Sequence, residues 1–393
     1  VRIAIDVRRI LDFGIGTYIS NLLRAFQELK PPHEFVLIGA PDQRRYFQSL
    51  VPGFCFVPHN ISDLKRKDHL ALPRLVRNLD VDLTHIPFTR VPLFLPKPYV
   101  ITVHDLSSVM FDTSSPWLRQ LRRMRFHRSV ERADRVIAVS LATLRDLENL
   151  TGIEHNRAHV IYNAPDPVFF QPARSADARA AGPDSRQVEH RRILERYQID
   201  YPFLLYAGHI RRQKNIPRMV EAFAVARQQL ADDPVYKELR LIIIGDDIHQ
   251  HPEVRRAVIQ SRVEHRVRFL GFVPFGTLRL FYELAAAFLF PSLYEGFGLP
   301  PLEAMASGTP VITSAVSSLL EVVQDGAALV NPENVFDISR GICEVLCNPE
   351  LRAALITRGR ARAEAFSWMT AARQTVETYE EAASNARKQT ISE

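Results

Sequence analysis

The chain has 393 residues, 46% of them apolar and 24% charged. That excludes a disordered chain, a collagen-like repeat and a small disulfide scaffold, and the length predicts two or three domains, each able to bury a core. The formal charge is +6, and residues 1–170 hold 23 Lys and Arg against 17 Asp and Glu; without a basic stripe interleaved with aromatics, this excess suits phosphorylated small molecules or anionic lipid rather than nucleic acid.

The apolar opening, residues 1–5, is broken at once by Asp6, Arg8 and Arg9, so no signal peptide is expected there. No stretch reaches the ~18 uncharged apolar residues of a membrane span. Cys55, Cys343 and Cys347 are too few for a disulfide framework and fit a reducing cytoplasm.

Short apolar runs predict strands at residues 2–6, 35–39, 81–86, 99–103, 135–139 and 159–162. Amphipathic stretches at 17–29 and 117–132 read as helices between them. After 170 the pattern pauses. Residues 171–200 are rich in Ala, Arg, Asp and Gln, with no apolar run before Ile193-Leu194, and read as a linker or mobile insertion. Strands are then expected at 203–207, 241–245, 267–270, 287–290, 310–313 and 328–331. Helices are expected at 216–229, 277–286 and 335–347. The runs do not alternate and are rich in Val, Ile, Leu and Phe, as in parallel strands covered on both faces. The fold class is therefore α/β, with two Rossmann-like, doubly wound parallel-sheet domains at 1–170 and 201–365 facing each other across a cleft. A last helix, within 366–393, is expected to return to the first domain.

The sharpest segment is Pro291-Ser292-Leu293-Tyr294-Glu295-Gly296-Phe297-Gly298-Leu299-Pro300-Pro301-Leu302-Glu303. It leaves a buried strand, crosses a loop with two glycines and enters a helix that opens on prolines, where a missing N–H costs nothing. Gly296 and Gly298 allow backbone amides to approach a ligand closely, and the helix start favours an anion such as a diphosphate, so Phe297, Gly298 and Leu299 are expected among the donor-binding residues. Glu295 and Glu303 would be repelled by phosphate, so they are expected to hold hydroxyls, of a sugar ring and of a ribose.

This segment resembles the paired-glutamate signature of GT-B glycosyltransferases, in particular glycosyltransferase family 4, which are retaining enzymes that use nucleotide sugars. The resemblance covers nearly the whole chain. Arg2-Ile3-Ala4-Ile5-Asp6 with Gly14-Ile15-Gly16-Thr17-Tyr18 is similar to the family's opening strand and glycine loop, and Ile101-Thr102-Val103-His104-Asp105-Leu106 to its next landmark. Ala133–Ser140 and Val160-Ile161-Tyr162-Asn163 resemble the later ones. Tyr206-Ala207-Gly208 with Lys214-Asn215 resembles the opening of its donor domain, and Phe366-Ser367-Trp368 its last helix.

The resemblance implies roles. Lys214, with Arg212, neutralises the leaving diphosphate; His209 stands where many relatives carry arginine, so His209, Arg211 and Arg212 all remain candidates for the second positive contact. Glu295 binds the transferred sugar and Glu303 the ribose. His104 contacts the sugar, and the Gly14–Gly16 loop meets phosphate or acceptor. No metal site and no cofactor beyond the donor are implied. Asp246-Asp247-Ile248-His249-Gln250-His251 carries ligand-type residues without a recognised metal spacing, and Cys343 and Cys347, one helical turn apart, are expected to pack inside.

The function so implied is transfer of a hexose, with mannose weakly preferred and GDP-mannose as its donor, to a saccharide or lipid-linked acceptor. A nucleotide-sugar epimerase on the same frame and a non-catalytic sugar- or nucleotide-binding scaffold are the alternatives. Two basic stretches, 64–76 and 117–132, could lie on an anionic membrane surface, giving a cytoplasmic protein that is peripheral to the membrane.

Overall fold

The computed structural model describes residues 1–112, 114–170 and 184–392. Seven strands make the first sheet: β1 (Arg2–Asp6), β2 (Glu34–Gly39), β3 (Cys55–Pro58), β4 (Leu83–Ile86), β5 (Tyr99–Val103), β6 (Arg135–Ala138) and β7 (Ala158–Val160), in the order β3-β2-β1-β4-β5-β6-β7. Six make the second: β8 (Phe203–Gly208), β9 (Arg240–Gly245), β10 (Val267–Gly271), β11 (Ala287–Phe290), β12 (Val311–Ser314) and β13 (Ala327–Val330), in the order β10-β9-β8-β11-β12-β13. Every pairing is parallel. The central strands are sealed on both faces, as their unalternated sequences require: β5 and β11 are buried along their whole length.

The chain divides into two compact units, Val1–Ala164 with Ser367–Glu393, and Pro165–Phe366. In each sheet the strand order reverses once, between β1 and β4 and between β8 and β11, and ligands of open α/β sheets bind beyond the strand ends at such points. The strand β3 lies outside the sequence expectations. It is an edge strand, only half buried and ending on Pro58, so it lacks the apolar run that marks the others.

The expected linker 171–200 is corrected in its second half by the helix Asp184–Arg196; residues 171–183 lie outside the described residues. Its sequence is too polar to announce a packed helix. It is held by buried Ile193, by His190 Nε2 bonding Glu283 at 2.8 Å, and by Glu189 beside Arg279. The cysteines are a second correction: Cys347 is exposed and Cys343 half-buried, both as free thiols.

The helix Trp368–Ser392 belongs to the first unit and packs on the helix Ile15–Leu29 and on β4 to β6. A buried polar chain ties it there. Tyr379 Oη lies 2.7 Å from His85 Nδ1, His85 Nε2 lies 2.8 Å from Thr102 Oγ1, and Tyr18 Oη lies 3.1 Å from the same hydroxyl. Burial first, and then His104, lower the His85 pKa to about 3, so its imidazole is neutral, donating through one nitrogen and accepting through the other. Tyr379→Phe removes one member and leaves a buried ring nitrogen unpaired. We expect a loss of about 1–3 kcal/mol, read as a lower urea midpoint at unchanged m-value.

Candidate functional site

In the second unit, two loops leave neighbouring strands at the reversal of strand order. The loop after β8 turns through the short 3-10 segment Arg212–Lys214, and Asn215 follows with φ 60°. The loop after β11 runs to the helix Leu299–Ala306. They are stitched together by Leu293 N–H donating to Gln213 O at 2.7 Å, and by Asn215 Nδ2 donating to Pro291 O at 3.0 Å and Pro332 O at 2.7 Å. Ser318 Oγ donates to Glu295 O at 2.9 Å and to Phe297 O at 3.1 Å, and Ser317 Oγ to Glu295 O at 2.6 Å. The loop is thereby fixed by its carbonyls.

Gly298 opens the helix with φ 102°, and a Cβ there would lie 2.7 Å from Leu319 Cδ2, so both backbone conformation and space require glycine. Leu299 follows at the first helical position, partly exposed. Phe297 is buried, edge-on to Phe366 at 5.6 Å between ring centroids. Pro300 and Pro301 carry no N–H, which leaves the amides of Gly298 and Leu299 as donors at this helix start.

The two loops bring together Lys214 and Glu295, 81 positions apart in sequence. Lys214 Nζ lies 2.6 Å from Oε1 and 2.9 Å from Oε2, with the two side chains 16% and 10% exposed. The same ammonium stands 5.0 Å from the centroid of the Phe290 ring. Glu303 sits apart from this pair. It is 7% exposed and accepts a hydrogen bond from Tyr282 Oη at 3.0 Å. Burial raises its pKa to about 7, against the lowering pull of the Tyr282 hydroxyl and with a small further rise from Asp166. Tyr282 carries no signal in the sequence; only packing against Glu303 shows its importance.

His209 follows β8 and bonds through Nδ1 to Asp246 Oδ1 at 2.7 Å, while Asp246 Oδ2 accepts from Ile210 N–H at 2.8 Å. Burial pushes the Asp246 carboxyl up, but these bonds outweigh it, and its pKa falls below the ordinary value. Asp246 therefore serves His209, and Asp247 caps its own turn by accepting from His249 N–H at 2.9 Å. Among the described residues, no three His, Cys, Asp or Glu are grouped to hold a metal. Arg211 and Arg212 are exposed.

The remaining candidates belong to the first unit. Gly14 caps the helix Ile15–Leu29 and is exposed. Gly16 is buried, and a Cβ on it would meet Ile10 O at 2.0 Å, so the loop closes only with glycine. His104 follows β5. Its Nε2–H donates to Pro87 O at 3.0 Å, and its ring stands edge-on to Tyr18 at 4.8 Å. Burial lowers its pKa to about 4 despite the Pro87 bond and Asp105, which pull it up, with Arg9 adding to the fall; the neutral ring keeps Nδ1 as an acceptor.

The family model for Glycosyl transferases group 1 matches residues 189–362, and that for Glycosyltransferase Family 4 matches residues 14–169. The chain is 31% identical to O-antigen chain mannosyltransferase B of Escherichia coli over 286 residues, 71% of this chain and 69% of that protein. It is 26% identical to O-antigen chain mannosyltransferase RfbU of Salmonella typhimurium over 336 residues, covering 82% and 84%. Among solved structures, Anabaena Alr3699/HepE in complex with UDP and glucose matches with a TM-score of 0.75 at 17% identity, over 96% of this chain and 99% of that one. Sucrose-phosphate synthase from Thermosynechococcus elongatus matches with a TM-score of 0.74 at 21% identity, over 97% and 98%. These structural likenesses speak to the GT-B fold.

The Glu303 environment predicts a pH signature. In the folded chain its carboxyl holds a proton up to about pH 7, whereas the unfolded chain releases it near the ordinary 4.5. The folded state thus binds more protons between those values, and stability falls as pH rises through them. Glu303→Gln should remove up to about 3 kcal/mol of that fall, measured by urea unfolding of both proteins at mildly acidic and mildly basic pH. Equal slopes for the two would refute the raised value.

Proposed function

The chain belongs to the group 1, family 4 glycosyltransferases, and from that premise we propose that it moves a hexose, mannose by preference, from a nucleotide diphosphate sugar to a hydroxyl of a saccharide or glycolipid with retained configuration. The observation that carries this reading is the Lys214–Glu295 pair beside a glycine-opened helix start. The nucleotide donor is supported by the UDP and glucose bound to Anabaena HepE, and the mannose preference, with GDP-mannose as donor, by the two O-antigen chain relatives.

The chemistry follows from those groups. The diphosphate meets the Gly298 and Leu299 amides and draws the Lys214 ammonium onto a phosphate oxygen. That releases the Glu295 carboxylate to accept hydrogen bonds from the sugar hydroxyls. The C1–O bond to phosphate breaks, and its electron pair stays on the diphosphate, where Lys214, assisted by Arg212 and His209, stabilises the charge. The acceptor oxygen bonds to C1 on the face the leaving group vacates, and its proton passes to a phosphate oxygen. Neither glutamate becomes covalently attached, and no cofactor beyond the donor takes part. Glu303 holds the ribose hydroxyls. His104 contacts the sugar, and the Gly14–Gly16 loop faces the acceptor or the phosphates.

Lys214→Met and Glu295→Gln should each lower kcat about 100-fold or more while keeping the wild-type far-ultraviolet circular dichroism. Near-wild-type turnover by either variant would end this assignment. Among nucleotide sugars, GDP-mannose should raise the melting temperature most, because binding to the native state alone stabilises it. Release of an epimerised donor without any acceptor would replace transfer by isomerisation.

A further inference from the structure

Strands β8 and β9 end on glycines that pair in register, Gly208 against Gly245. Both have positive φ, 148° and 154°, and a Cβ on Gly245 would fall 2.0 Å from Gly208 O. Glycine is what lets the two strand ends run this close, so the next residue of each, His209 and Asp246, leaves the sheet beside the other. Three bonds then fix this corner. Tyr206 Oη donates to His209 O at 2.8 Å, His209 Nδ1 lies 2.7 Å from Asp246 Oδ1, and Asp246 Oδ2 accepts from Ile210 N–H at 2.8 Å.

The corner adjoins the Lys214–Glu295 pair. The Tyr206 ring stacks on Phe290 at 5.7 Å between centroids, and Lys214 Nζ lies 5.0 Å from that same Phe290 ring. Burial first, then Glu295 and Asp246, raise the Tyr206 pKa against a lowering pull from Arg211, so one hydroxyl feels both carboxylates. Two nitrogen–carboxylate pairs, Lys214–Glu295 and His209–Asp246, thus flank one aromatic stack. Arg211 and Arg212, by contrast, are exposed.

Where the imidazole carries its hydrogen follows from its partner. Burial drives the Asp246 carboxyl up, but the bonds it accepts bring it below the ordinary value, so it is ionised and has only lone pairs to offer. Nδ1 must then carry a hydrogen. With that hydrogen committed, Nε2 has one only when the ring is doubly protonated; in the neutral ring Nε2 is a lone pair, which repels phosphate oxygen. We propose, on the basis of the transfer reaction and as a deepening of it, that Asp246 is a positioning residue: by keeping a hydrogen on Nδ1 it makes His209 a contact for the leaving diphosphate in the imidazolium form alone, so that pH switches the second positive contact beside Lys214. The charges around this switch are Asp246, with His251 acting on it, and Asp247 after β9; Glu295 after β11; and Arg211 and Lys214 in the loop of His209 itself.

The test is binding of GDP and UDP, each against its monophosphate, to the whole chain by titration calorimetry from about pH 6 to about pH 8.5, where histidine changes charge. The imidazolium is lost as pH rises, so the wild-type preference for diphosphate over monophosphate should fall. His209→Arg stays charged throughout and should hold that preference level, which separates the protein's titration from the ligand's own. Asp246→Asn keeps an oxygen for Ile210 N–H and turns its amide hydrogens toward Nδ1, which moves the ring hydrogen to Nε2. Its preference should drop about 10-fold at the acid end, a charged contact being replaced by a neutral one, and should no longer vary with pH. Long-range proton–nitrogen NMR, with His209→Arg identifying the His209 signals, should find the neutral ring protonated at Nδ1 in the wild type and at Nε2 in Asp246→Asn. Asp247→Asn removes an acid that caps its own turn and should match the wild type in both measurements. A wild-type preference that holds level like that of His209→Arg, a neutral wild-type ring protonated at Nε2, or equal effects of the two aspartate variants would overturn the proposal. A wild-type chain that binds neither diphosphate would sink the transfer reading along with it, whereas diphosphate binding unchanged in Asp246→Asn would sink this one alone.

Discussion

An ammonium and a carboxylate held 2.6 Å apart, mostly out of water, set the terms for the second unit. Lys214 and Glu295 come from loops that follow β8 and β11. Those strands are direct neighbours, with Leu204 against Ala287 and Leu205 against Phe288. Because the pairing is parallel, both chains leave the sheet at the same edge, where Leu293 N–H on Gln213 O and Asn215 Nδ2 on Pro291 O hold the two loops together. Two oxygens on one ammonium, and an aromatic ring nearby, offset what desolvation costs the pair.

The two glutamates of the signature segment show how environment separates identical side chains. Glu295 is neutralised by a cation, and its backbone is pinned by Ser317 and Ser318. Glu303, eight positions further on, has a tyrosine hydroxyl for company and is driven toward its protonated form by burial. A helix start lies between them, so they cannot share one setting. The first unit repeats the lesson with histidine: His85 and His104 are both kept neutral by burial, one inside a polar chain that fastens the last helix, the other donating to Pro87 O.

Where the reading from residues fell short, the reasons are physical. The edge strand Cys55–Pro58 is half exposed and so has no continuous apolar run. The helix Asp184–Arg196 is polar along most of its length and is held by Ile193 and by long-range pairs to Glu283 and Arg279. Cys343 and Cys347 have helical spacing, but Cys347 projects outward. Tyr282 looks like any core tyrosine until Glu303 is placed against it.

What the sequence determined by itself was local: apolar runs long enough to be covered strands, glycines where the chain must turn tightly, and a strand–loop–helix segment with two acids. These depend on backbone sterics and on burial, which neighbouring residues decide among themselves. Strand order was a tertiary matter, and with it came the partners: Lys214 on Glu295, His209 on Asp246, and Tyr379 on His85. Such pairs join positions that are remote along the chain, and a periodic pattern of apolar residues records which face is covered but not what covers it.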